Sequence, residues 1–449
     1  MDLLLTHGYF LAEDPKERRI MKPYPPLGIL YLSSHLRRQG FDVAIYDSTF
    51  GTRRELFNLL DTEQPSALGV YANLLTRGEV LRIVQHAKER GWFVVLGGPE
   101  PSNYGAEYLA AGADAIVRGE GELAMAALLT RLKNGGSLSE DLPSLIFRGP
   151  DGMLVSTAAA PLIKDLDSQP WPDRDRIDIQ RYVQTWREHH GRGSLSVITA
   201  RGCPYHCRWC SHSVYGKTHR RRSPVAVVDE VEHLLTQYGP DMLWMADDVF
   251  TIHHGWLFTY AAEMARRGLR IPFECITRAD RINERVTATL AEMGCLRVWI
   301  GSESGSQRIL DAMQRGVTVE QVQHAVGLCR AAGIETGMFI MWGYEGEQME
   351  DVEATIAHVK KCSPEICLTT VSYPIQGTPY YNEIRPKLVN IGSWQTSTDR
   401  DIAVRDRHSR RFYQFADELL KAETAPLFDL PRIEAARAGL SATAQEVEA

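Results

Sequence analysis

The sequence predicts an α/β protein of two parallel-sheet units: a doubly wound parallel sheet over residues 1–135 and a partial (β/α)6 barrel over residues 191–385, followed by a small helical region at 386–449. Three observations predict it. Short apolar runs alternate with helix-period stretches in both units. The alternation repeats six times in the second unit, and residues 136–190 between the units break the rhythm. A length of 449 residues leaves room for two or three domains, and 44% apolar against 24% charged residues describes packed cores rather than a disordered chain.

In the first unit, residues 3–5 form a short apolar strand, and the helical pattern 27–38 stops at Gly40. Residues 41–46 alternate as a strand does and end at Asp47; residues 67–71 and 93–96 are apolar runs around a helix-like stretch at 78–89. A last strand at 115–117 leads into a helix at 122–132. Such a sheet binds ligands beyond the carboxyl ends of its strands. Residues 146–156 read as a hairpin around Gly149-Pro150-Asp151-Gly152, and the proline- and aspartate-rich stretch 165–178 reads as an interdomain linker.

The second unit offers strands at 195–199, 242–245, 273–276, 297–300, 336–341 and 366–371. Helical stretches follow them at 225–237, 255–267, 283–292, 306–313 with 319–331, and 349–361. Six parallel units fit a partial barrel better than an open sheet, and a barrel gathers its site at the carboxyl ends of its strands. One amphipathic helix at 410–421 precedes a polar tail with little core potential.

A net charge of −7 provides no overall basic field, so nucleic acid is not the expected partner, and the short run His219 to Arg222 reads as a solvated loop or a clamp on one anionic group. No apolar run is long enough to span a bilayer. The start MDLLLTHGYF lacks a basic n-region, so the expectation is a cytoplasmic protein with reduced thiols. The eight cysteines are unevenly placed: none precedes Cys203, three fall within eight residues, and the other five are scattered. That is a local metal site rather than a disulfide framework.

The informative segment is Arg201-Gly202-Cys203-Pro204-Tyr205-His206-Cys207-Arg208-Trp209-Cys210, directly after the first strand of the second unit. Iron–sulfur clusters normally take four cysteines. Three at C-x3-C-x2-C leave one iron open, and an open position distinguishes catalytic from structural metal sites. A chelating amino and carboxylate group would fill it. A zinc site would need His206 or His212 as a fourth ligand and lacks the usual distant second pair. A trio present only for packing fits poorly beside glycine, arginine and histidine.

This triplet, with an aromatic residue (Trp209) before its last cysteine, resembles the radical S-adenosylmethionine (SAM) superfamily. The segments at 244–250 (WMADDVF), 273–282 (FECITRADRI), 298–305 (VWIGSESG), 337–347 (GMFIMWGYEGE) and 373–380 (YPIQGTPY) resemble its second to sixth strand motifs. The resemblance implies that Cys203, Cys207 and Cys210 ligate a 4Fe-4S cluster and form the catalytic centre. It places Trp209 in the cofactor-binding set, Asp247 and Asp248 beside the SAM methionine, Glu303 near its ribose and Arg278 at its carboxylate. Carboxylates accept from ammonium and hydroxyl groups, and arginine forks onto carboxylate. The bland alternative for each is a strand-end charge in a salt-bridge network.

In the first unit, Gly97-Gly98-Pro99-Glu100 and Arg118-Gly119-Glu120-Gly121-Glu122 each follow a strand. With the opening KPYPPLGILYLSSHLRRQGFDV they resemble the flavodoxin-like cobalamin-binding domain that precedes many radical SAM barrels. Gly97, Gly98, Pro99, Gly119 and Glu120 would then touch cobalamin. The Asp-x-His-x-x-Gly signature that supplies a histidine to cobalt elsewhere is absent, and His7 reads as an ordinary loop residue.

The implied reaction is reductive cleavage of SAM to a 5′-deoxyadenosyl radical and methylation of an unactivated carbon from methylcobalamin. The implied partners are a small-molecule substrate and a one-electron donor such as flavodoxin or ferredoxin. Several motifs also resemble anaerobic magnesium-protoporphyrin monomethyl ester cyclases, so an oxidative cyclisation or ring rearrangement is the alternative. A methylthiotransferase would need a second cluster, for which no cysteine precedes Cys203. A non-catalytic zinc or iron–sulfur protein would need four protein ligands. Trp342 and Tyr344, near a strand end, line a pocket or pack.

Overall fold

The computed structural model describes residues 1–389, 392–425, 427 and 429–448. The first sheet is built from β1 (Leu3–His7), β2 (Val43–Ile45), β3 (Ala67–Tyr71), β4 (Phe93–Gly97), β5 (Ala115–Val117), β6 (Leu145–Arg148) and β7 (Leu154–Ser156), in the order β2-β1-β3-β4-β5-β6-β7. The first five strands are parallel, and the β6–β7 hairpin extends the same sheet antiparallel. The helices are α1 (Glu17–Ile20), α2 (Leu27–Arg38), α3 (Arg53–Thr62), α4 (Arg77–Lys88), α5 (Gly105–Ala110) and α6 (Gly121–Lys133). The order 2-1-3-4-5 reverses direction between β1 and β3, and a crevice opens at that switch point.

Several elements differ from expectation. Helix α3 was not predicted, although Thr52 and Glu55 form a reciprocal capping box at its start. α7 (Ile179–His190), an unexpected helix, directly follows the expected linker 165–178; Asp178 caps it, and Ile179, Tyr182, Val183 and Trp186 are buried on one face. His7 is not a loop residue. It ends β1, buried, with Nε2 3.0 Å from Asp47, which also accepts from Tyr182 of α7 at 2.7 Å.

The second sheet runs β8 (Ser194–Val197), β11 (Met242–Met245), β12 (Phe273–Thr277), β13 (Cys295–Glu303), β14 (Glu335–Trp342) and β15 (Ile366–Val371), side by side in chain order and all parallel. Among the described residues β8 and β15 do not pair with each other, so the barrel is partial. Two short strands, β9 (Ala200–Arg201) and β10 (Arg220–Arg221), pair antiparallel beside β8. The helices α8 (Pro224–Tyr238), α9 (His254–Arg266), α10 (Glu284–Met293), α11 (Gln307–Ala312), α12 (Val319–Ala331) and α13 (Met349–Cys362) intervene, and Val228, Val231, Leu257, Leu290, Val322 and Val359 of this layer are buried in the barrel core. No described helix is long and apolar enough to cross a membrane.

After β15 come α14 (Pro379–Ile384), the hairpin β16 (Leu388–Val389) and β17 (Ala403–Val404), α15 (Arg410–Glu423) and α16 (Leu430–Thr443). The tail is not without core. Ala436, Leu440 and Thr443 of α16 are buried, and a Cβ on Gly439 would lie 2.4 Å from the Phe415 ring of α15. Small residues let these helices approach closely, which leaves a thin apolar stripe in the sequence.

Under β13, His358 is buried with Nε2 3.0 Å from the Ser302 hydroxyl, and burial pushes its pKa from 6.5 down to about 4. Below about pH 6.5 the unfolded chain binds a proton that the folded chain refuses until near 4. Stability present above 6.5 is therefore lost across that window as pH falls, by up to ~1.4 kcal/mol per pH unit. Unfolding midpoints between pH 7 and 5 are expected to drop faster for the native chain than for His358→Gln. Parallel slopes would discount this histidine.

Candidate functional site

The loop 202–219 rises from a stem made by β9 and β10, with Arg201 opposite Arg220 and Ala200 opposite Arg221. It carries all three cysteines of the triplet. Asp247, at the carboxyl end of β11, clamps this stem. It accepts from the Thr199 and Ala200 amides at 2.6 and 3.0 Å, from the Thr199 hydroxyl, and from Arg221 at 2.6 Å. With those partners and 2% exposure, Asp247 has no free face for a cofactor, and the salt-bridge alternative holds for it. Asp248 beside it is exposed.

Cys207 is buried, and Cys203 and Cys210 are half-buried. Two guanidinium groups reach Cys207 Sγ: Arg278 Nη1 at 4.0 Å and Arg315 Nη1 at 3.9 Å. Arg278 is otherwise occupied. It donates to Asp280 at 2.9 Å and to the Gly316 carbonyl at 3.2 Å, and it lies 3.7 Å from the Tyr205 ring centroid. Arg278 thus stands beside the Cys207 sulfur with Asp280, Gly316 and Tyr205 around it. Arg315, missed in the sequence, donates to the Gly301 carbonyl at 2.8 Å and holds its Nε 3.6 Å from Glu303. Nothing near Arg315 in the chain marks it, since Cys207 lies far away in sequence.

Glu303 sits where β13 and β14 slip in register, with φ +64, an uncommon left-handed value that re-aims the side chain. Burial raises its pKa, and Arg315 and Arg278 hold the rise back. Burial, and then the neighbouring Cys207 and Asp248, push the Cys210 thiol up to about 12, and burial also raises Cys203. Such thiols ionise only when a metal shares the charge, so the donor set fits an iron–sulfur cluster flanked by two cations. His206 is exposed. Trp209 packs beside Met313, Tyr344 and Tyr380, so Tyr344 packs rather than lining an open pocket.

A cavity of 410 Å³ lies at the switch point of the first sheet and brings together Gly97, Gly98, Pro99, Gly119 and Glu120. Its volume falls within the ~300–1,000 Å³ of small-molecule sites. Val70, Val95, Leu96 and Met125 give it an apolar lining. A Cβ on Gly97 would meet nothing within 4 Å, which is room a bulky ligand can use. Gly98 has φ +110, and a Cβ there would sit 2.4 Å from the Ala72 carbonyl, so only glycine fits. Val214 and Tyr215 of the cysteine loop wall the cavity, and Ser213 donates to the Pro99 carbonyl at 2.7 Å. The residues fit a large cofactor with an apolar body. Glu120 is fully engaged by Arg201, Arg220 and the Ile163 amide.

Residues 197–359 match the Radical SAM superfamily and residues 19–129 match the B12 binding domain. An uncharacterised methyltransferase of Pyrococcus horikoshii is 30% identical over 394 residues, spanning 86% of this chain and 84% of the relative. The anaerobic magnesium-protoporphyrin IX monomethyl ester cyclase of Rubrivivax gelatinosus is 29% identical over 376 residues, 81% of this chain and 67% of the cyclase. The fold is shared with the radical SAM methyltransferase TsrM of Kitasatospora setae, whose structure was solved with tryptophan and a SAM analogue (TM-score 0.73, 22% identity, 85% of this chain and 75% of that one). The chain therefore belongs to the radical SAM superfamily, in the branch that carries a B12-binding domain ahead of the barrel.

Proposed function

We propose that this protein methylates an unactivated carbon of a small molecule, with SAM bound at the cysteine loop and cobalamin in the cavity of the first domain. One observation carries the reading: the loop that presents Cys203, Cys207 and Cys210 also walls the cavity through Val214 and Tyr215. When bound, the cluster and SAM supply a carbon-centred radical, and cobalamin carries the methyl group.

The chain's own residues bind and orient. The three cysteines hold the cluster, while Arg278 and Arg315 offset thiolate charge at Cys207. Glu303 and the exposed Asp248 are the strand-end carboxylates left to accept from the ammonium and hydroxyl groups of SAM. Gly97, Gly98, Pro99 and Gly119 bring backbone close to cobalamin. Glu120 supports them from behind through Arg201 and Arg220. Electrons come from a one-electron donor such as flavodoxin or ferredoxin, in the cytoplasm.

Similarity to the magnesium-protoporphyrin cyclases supports a second outcome, oxidative cyclisation. SAM carrying a labelled methyl group separates the two. Label entering the product supports methylation. A label-free product, formed with one 5′-deoxyadenosine per turnover, would favour the cyclase.

A further inference from the structure

Arg201 is the last residue before the Gly202–Cys203 turn, yet its side chain belongs to the cavity. Only 6% exposed, it donates to Glu120 at 2.8 Å and to Glu122 at 2.6 Å. Both carboxylates stand at the start of α6, where the helix end favours negative charge. The guanidinium carbon lies 5.6 Å from the ring centroid of Tyr31 on α2 and 5.6 Å from that of Tyr215 on the cysteine loop. Both rings line the cavity. Arg220, its partner across the stem, donates to Glu120 as well, at 2.9 Å.

The stem is thus gripped from two sides, by Asp247 of the barrel and by Glu120 and Glu122 of the first domain. A two-residue ladder is too short to hold itself. One residue beyond Arg201, Gly202 takes φ +86, and a Cβ there would lie 2.3 Å from the Thr218 carbonyl. The turn into Cys203 therefore has little freedom, and a shift of Arg201 is passed on to the first cluster ligand. Tyr31, Tyr215 and Arg201 all line the cavity, so a ligand there would meet the two rings and the guanidinium together.

We propose that Arg201 is a positioning residue that couples the two cofactor sites, so that cobalamin in the cavity and SAM at the cluster each tighten the other's binding. The coupling rests on the cobalamin reading given above. Linkage requires the two effects to be equal: the factor by which cobalamin lowers the Kd for SAM is the factor by which SAM lowers the Kd for cobalamin.

The test uses the full chain with its cluster reconstituted anaerobically and left unreduced, so that SAM binds without being consumed. Hydroxocobalamin is titrated by absorbance with and without saturating SAM, and SAM by equilibrium dialysis with and without hydroxocobalamin. A coupling of at least about fivefold, equal in both directions, is expected for the native chain. Glu122→Gln and Arg201→Lys should bring it below about twofold. A purely structural role would weaken both affinities and leave their ratio unchanged. A ratio of one in the native chain overturns the proposal whether or not the variants fold, and so does an undiminished ratio in both variants. Failure of hydroxocobalamin to bind at all would instead remove the cobalamin reading, and the coupling with it; binding without linkage removes the coupling alone.

Discussion

Cys207→Ala is expected to lose reductive SAM cleavage by at least ~10³-fold, equivalent to about 4 kcal/mol of barrier. Cys207 is the buried member of the triplet and the sulfur that both Arg278 and Arg315 approach. Its removal takes away one of the three cysteines proposed to hold the cluster, and with it the sulfur that faces Arg278 and Arg315. The check is 5′-deoxyadenosine formed per chain under strong reductant, with iron and sulfide measured on the same sample. Retained cleavage in a variant with intact cluster content would overturn the ligand assignment. A scattered cysteine such as Cys329, buried in the barrel core, serves as control. Cys329→Ala should cost stability and leave the chemistry per folded chain unchanged.

The second large effect concerns Asp247. Asp247→Ala should destabilise the protein by about 3–5 kcal/mol, because it leaves the buried Arg221 without its carboxylate and the Thr199 and Ala200 amides without an acceptor. Since those groups form the stem of the cysteine loop, iron retention should fall with stability. Denaturant unfolding and iron content, measured together, check this. A change of SAM affinity with unaltered stability and iron would restore Asp247 to the cofactor and contradict the clamp described here.

The sheets were legible because parallel strands buried on both faces read as apolar runs, and glycine turns punctuate them. The six barrel strands fall within two residues of their expected starts and ends, apart from the last three residues of β13. Those residues carry the register slip that gives Glu303 its left-handed backbone, and no local pattern announces such a slip. α7 and α16 were hidden for different reasons. In α7 the polar residues outnumber the four apolar ones that face inward, and in α16 the contact is made by Ala436, Gly439 and Leu440, which carry little apolar signal.

The site followed the same division. Cysteine spacing and the glycine motifs are local, and the structure assembles the glycines with Pro99 in one cavity. Partner choice is not local. Asp247 and Asp248 are neighbours of the same type, and only the fold turns one into the stem and leaves the other exposed. Arg201 and Arg315 became visible only when strands distant in sequence met.

The most direct test is to purify the protein without oxygen, reconstitute it, record its absorption, and add SAM with a strong reductant. The open coordination site predicts iron–sulfur absorption near four irons per chain and 5′-deoxyadenosine in the products. A colourless protein, or a coloured one that leaves SAM uncleaved, would contradict it.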